Sequence, residues 1–240
     1  MIEITVLLQI VTGICVIFLL YQYYKKSNVP AGGYGTRYKT AKLVGQGSAG
    51  FVIGAVSIGL IWAAILLSKS GTIENNAELS FPSILLWFIC YIVVAIEEEM
   101  VFRGFIMGVV RQSGRTKQEA ILLSSLAFGF AHIGNQGFSI MAFANLTIFG
   151  ISFALMYSIT KSLAMCIGMH FSWNFVQAML GFSVSGYAVP HIVNVNIVGS
   201  AFLNGGDFGP EAGIFTTVIA VIQIICLILY NKKKKLQSAR

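Results

Sequence analysis

Glu97, Glu98 and Glu99 close a long apolar run and are followed at once by Met100, Val101, Phe102 and Arg103. Three of the nine acidic residues of the chain thus stand inside or beside a lipid-compatible stretch. A charged side chain at the bilayer centre costs about 2.5–3.5 kcal/mol on insertion scales, so such residues persist there only with partners or with a role. Glu99 and Arg103 are four apart, in the favourable order for an ion pair on one helical face. Glu98 is turned about 100° from Glu99 and is free for a different task. His132 and His170 also fall in apolar runs, and Asn174 shares a helical face with His170. The third histidine, His191, lies in a loop.

A carboxylate, two imidazoles and a carboxamide can activate a water, hold its proton and donate to an oxyanion, which is what hydrolysis of an amide requires. Glu98, His132 and His170 are also a sufficient ligand set for zinc with a water in the fourth place, although no Glu-x-x-His or His-Glu-x-x-His spacing is present. Two other readings use the same residues: a proton relay in an ion-coupled transporter, and a polar packing layer in a non-catalytic interaction or immunity protein. The lack of an internal repeat speaks against the transporter.

The elements that would position these residues follow from composition. The chain is 56% hydrophobic and 10% charged, with a mean hydropathy of +0.79, against roughly a quarter charged in soluble domains. Backbone polar groups in lipid need internal partners, and runs this long and unalternating exclude a β-barrel. The expectation is an all-α, polytopic transmembrane bundle of about seven spans, each near the twenty residues that cross a bilayer. The spans lie near 4–24, 48–68, 82–110, 118–133, 139–159, 162–183 and 212–230, in one membrane domain over 1–240. The first run lacks a basic leader and a small-residue cleavage site and is read as a retained helix.

The net charge of +7 comes from short loops and the terminal run Lys232 to Lys235, a pattern that orients a membrane protein rather than one that binds nucleic acid. Lys25, Lys26, Pro30, Gly32-Gly33, Arg37, Lys39 and Lys42 mark the first inner loop, and Arg111, Arg115 and Lys117 a second. The loop 184–211, with Pro190 and Pro210, holds no Lys or Arg, and the loop 69–81 offsets Lys69 with Glu74 and Glu78. The positive-inside rule then sets a multi-pass protein of the cell membrane with an outer N-terminus and a cytoplasmic C-terminus. Cys15, Cys90, Cys166 and Cys226 fall in separate apolar runs, without the spacing of a disulfide or zinc framework. Counting inward from the inner loops puts Glu98 roughly 15 Å deep, His132 roughly 20 Å and His170 roughly 12 Å, one layer from non-consecutive helices.

Glu98-Glu99…Arg103, Phe128…His132 and His170…Asn174 resemble, in order, the Glu-Glu-x-x-x-Arg, Phe-x-x-x-His and His-x-x-x-Asn motifs of the CAAX protease and bacteriocin-processing (Abi) family of intramembrane endopeptidases. Asn145 followed by Phe149-Gly150 is a softer match, and the extra Glu97 a departure whose register Arg103 resolves. The resemblance covers roughly 82–180, the expected catalytic core. It implies an endopeptidase in which Glu98 is the general base and then acid, His132 holds and polarises the water, and His170 and Asn174 donate to the oxyanion. Glu99 and Arg103 would orient the site, and Phe128 would pack behind His132. No cofactor is obligatory on this reading, with zinc as the alternative. The implied partners are the lipid bilayer and a peptide or membrane-protein substrate. The small size resembles the bacterial branch, for which a CAAX tail is not the expected substrate.

Overall fold

A computed structural model describes residues 2–26, 40–76, 81–189 and 191–238. Pro30, Gly32-Gly33, Arg37, Lys39, Glu78 and Pro190 lie outside the described residues. The chain is an all-α helical bundle, as its composition dictates. Helix α1 (Ile2–Lys26) and α2 (Thr40–Leu67) precede a short strand β1 (Gly71–Asn76). Next come α3 (Phe81–Glu99), a π-helical segment Met100–Ile106 and α4 (Met107–Gln112). Helices α5 (Lys117–Phe130), α6 (Ile140–Thr160) and α7 (Ala164–Met179) carry the middle of the chain. Strand β2 (Val193–Ile197), a single turn α8 (Ala201–Asn204) and α9 (Ile214–Ser238) complete it.

Every expected span contains helix, but the spans are unequal. Among the described residues four helices are long and apolar enough to cross a membrane: Val6–Lys26, Thr40–Leu67, Ile140–Thr160 and Ile214–Ser238. Helices α5 and α7, at 14 and 16 residues, cover only about 21–24 Å at 1.5 Å per residue. The stretch expected as one helix over 82–110 changes to π geometry at Met100. A π turn displaces carbonyls from their usual partners, and in lipid these need others. The Tyr24 hydroxyl of α1 donates to the Met100 carbonyl (3.2 Å), and the Ser124 hydroxyl of α5 donates to that of Phe102 (2.8 Å).

The core lies between α2, α6, α7 and α9, around Ile58, Ile61, Phe149, Phe153, Met169 and Trp173. Small residues bring α2 against α7: a Cβ on Gly50 would stand 2.1 Å from the Met165 carbonyl oxygen, and one on Gly168 would stand 2.2 Å from that of Gly47. Lipid gives no hydrophobic drive between helices, so such close approach and buried polar clasps must hold them. One clasp is Gln223 of α9, which donates to Ser57 of α2 (2.8 Å) and accepts from Ser152 of α6 (3.3 Å).

Two segments expected as plain loops pair with each other. Strands β1 and β2 run antiparallel, with Thr72 opposite Asn196 and Ile73 opposite Val195. Strands β1 and β2 therefore sit together at one end of the bundle.

Candidate functional site

The three motif-bearing segments converge on one cavity of about 520 Å³. Glu98 reaches it from the last turn of α3, His132 from the turn after α5, and His170 and Asn174 from one face of α7. His132 is not in a helix, contrary to its expected place in a span: α5 ends at Phe130, with Ala131 as its C-cap. The tie across that end is local, because the His132 ring Nδ1 lies 2.8 Å from the Phe128 carbonyl oxygen. A carbonyl only accepts, so Nδ1 carries the hydrogen and Nε2 is left as the acceptor in the neutral ring. Phe128 packs beside it, with ring centroids 5.0 Å apart.

Glu99 and Arg103 form the expected pair, fully buried. Arg103 Nη1 donates to Glu99 Oε1 (2.9 Å) and Nη2 to the Gly150 carbonyl (3.3 Å). The guanidinium lies 4.6 Å from the Phe128 ring centre and 4.9 Å from that of Phe153. The same Oε1 of Glu99 accepts from Nδ1 of His170 at 3.0 Å. Arg103 thus fixes Glu99, and Glu99 fixes the His170 ring, which stacks on Phe153 at 5.3 Å.

The remaining nitrogen of His170, Nε2, faces Glu98 Oε2 at 3.7 Å. That gap is too long for a direct hydrogen bond and suits a bridging water. Glu98 Oε2 is buried and has no hydrogen-bond partner among the described residues. Among those residues no three His, Cys, Asp or Glu side chains are grouped to hold a metal ion. Glu98, His132 and His170 all line the one cavity.

The cavity also holds residues that the motifs do not include. Tyr91 lines it from α3, and Ser185 and Glu211 line it from the segment between α7 and α9. Glu211 accepts from Gln177 Nε2 of α7 (2.6 Å) and from the Ser185 amide and hydroxyl (both 3.2 Å). Its backbone carbonyl accepts from Asn145 of α6 at 2.8 Å. Burial raises the Glu211 carboxyl from 4.5 to about 7, partly opposed by those hydrogen bonds. Asn145, the softer match, is thus a buried clamp between α6 and this segment, and Gly213 and Thr217 bond it as well. Gln177 had a sequence signal, since it continues the His170 and Asn174 face of α7 by three more residues. Glu211 had none beyond being acidic, because its partners are distant in the chain.

None of the curated proteins and none of the solved structures matches the chain. A family model does match over residues 80–176, described as type II CAAX prenyl endopeptidase Rce1-like. It spans all three motifs and ends just beyond Asn174. The description that this stretch matches is that of an endopeptidase. Residues 80–176, which bring Glu98, His132, His170 and Asn174 to one cavity, match the Rce1-like CAAX endopeptidase family that the three motifs resemble.

Proposed function

We propose that the protein is an intramembrane endopeptidase in which Glu98 and His132 activate a water for attack on a peptide carbonyl. The observation that carries this reading is the unpartnered Glu98 Oε2, set in one cavity with the His132 ring, whose Nε2 is left as an acceptor. Two acceptors facing a shared space are what a water needs to be held by both hydrogens. The water oxygen attacks the carbonyl carbon while Glu98 takes a proton, and the carbonyl π pair moves onto the oxygen. His170, donating from Nε2 when both ring nitrogens carry hydrogen, and the Asn174 amide stabilise that oxyanion. Glu98 then delivers its proton to the leaving nitrogen as the C–N bond breaks, and the products are a carboxylic acid and an amine.

Glu99 and Arg103 act through His170. Arg103 holds Glu99, and Glu99 accepts from His170 Nδ1, which fixes the ring with Nε2 toward Glu98 and the cavity. The substrate is a peptide or a membrane-protein segment that reaches the cavity from within the bilayer, and the C-terminal lysine run lies on the cytoplasmic side. The test uses Glu98→Gln and wild type purified in detergent at matched thermal stability with a quenched peptide library. Cleavage by wild type alone supports the assignment, and equal cleavage by both overturns it.

A further inference from the structure

Glu211 is a buried acid in the cavity wall with no role in the hydrolysis described above. It is 3% exposed and lines the cavity together with Glu98, yet no Lys or Arg is among the lining residues. Its described partners are neutral donors: Gln177 on Oε2 and Ser185, twice, on Oε1. Its own backbone amide also bonds the carboxylate, so all of its described donors are neutral and none carries a compensating charge.

A second, independent observation points the same way. The Tyr91 hydroxyl is buried, belongs to the cavity lining and has no hydrogen-bond partner among the described residues. Gln177, whose amide nitrogen is spent on Glu211, likewise has a buried Oε1 without a partner. What the lining lacks, among the described residues, is a lysine or arginine. Trp87, which packs on Tyr91 at 5.5 Å, adds an aromatic wall of the kind that receives cations. Buried polar groups left open cost stability, and a ligand that completes them gains it back.

We propose that Glu211 and Tyr91 form a cation subsite of the cavity, which takes a substrate ammonium or guanidinium group and so selects apolar segments carrying a Lys or Arg near the cleaved bond. The inference rests on the endopeptidase reading for the word substrate, but binding of the cation does not.

Two measurements separate the inference from that reading. The probe is an alanine-leucine peptide long enough to span a bilayer, made as a set in which one Lys is walked along the chain, each member beside its norleucine counterpart. In binding to the Glu98→Gln protein, the best Lys member is expected to exceed its counterpart by about tenfold or more, the effect of one charge-assisted hydrogen bond. Adding Glu211→Gln is expected to bring that ratio to about one, Glu211→Asp to restore part of it, and Tyr91→Phe to lower it. The kcat/KM ratio in cleavage by proteins with Glu98 intact should follow the same order. A Lys preference in binding without any cleavage would sink the peptidase and keep the subsite. Equal binding of Lys and norleucine members at every position, or a preference that survives Glu211→Gln in a variant of normal thermal stability, overturns the subsite.

Discussion

Glu99 is the residue on which the buried charges balance, since its Oε1 meets both Arg103 at 2.9 Å and His170 at 3.0 Å. Removing one partner of a buried pair leaves an uncompensated charge, which costs about 3–5 kcal/mol. Arg103→Met is therefore expected to lower thermal stability by that order and to abolish cleavage. Adding Glu99→Gln should recover much of the stability by neutralising the orphan, while activity stays lost because His170 no longer has its anionic anchor. Thermal unfolding and peptide cleavage on the two single variants and the double variant check this. Glu211 makes a prediction in pH. Its folded pKa of about 7 lies above the ordinary 4.5, so the folded state binds the proton more tightly. Its contribution is greatest below pH 4.5 and is lost as pH rises to about 7, by on the order of 3 kcal/mol. Across that window wild type should lose stability relative to Glu211→Gln, and parallel stability curves would contradict it. The Glu99–Arg103 pair was legible as a spacing of four on one helix. Glu211 and Tyr91 were not, because their relation depends on how the segment after α7 folds back.

At the scale of the elements, α7 matters most, because it carries both His170 and Asn174 and is held against α2 by glycines. A Cβ on Gly54 would stand 2.1 Å from Ser172 Oγ and 2.4 Å from the Met169 carbonyl oxygen, next to His170. Gly54→Leu is expected to push α7 aside, costing about 1–3 kcal/mol by overpacking and about tenfold or more in cleavage. Gly59→Ala meets nothing within 4 Å and serves as the matched control, with activity kept. The helices themselves were legible from apolar runs, and so was the presence of Gly50 and Gly54 at a spacing of four. Which helix those glycines face was not, since a small residue marks a close approach without naming the partner. The π segment at Met100 was equally hidden, for hydrophobic runs look alike in α and π geometry. The end of α5 before His132 was missed for the same reason, as Phe130, Ala131 and His132 contain no breaker.

The whole molecule has two unlike ends. One carries the β1–β2 pair and Glu211, while Arg111, Lys117, Lys161 and Lys235 lie near enough together at the other to repel one another. Composition alone dictated the membrane bundle, whereas the cavity required packing that no run of residues encodes. Because Thr72 lies opposite Asn196, the double variant Thr72→Cys, Asn196→Cys is expected to cross-link on oxidation in intact cells, where the outer face is oxidising. A membrane-impermeant thiol reagent should label either single variant from outside and should not label Lys235→Cys. Labelling of Lys235→Cys alone would invert the orientation. The account as a whole stands on Glu98 as the group that activates water. The most direct measurement is cleavage of a quenched peptide library by wild type and Glu98→Gln at equal thermal stability, each with and without a strong chelator. The account predicts cleavage by wild type that survives the chelator and none by Glu98→Gln. Cleavage by the variant at the wild-type rate would contradict it, and loss of wild-type activity restored by added zinc would contradict the metal-free mechanism.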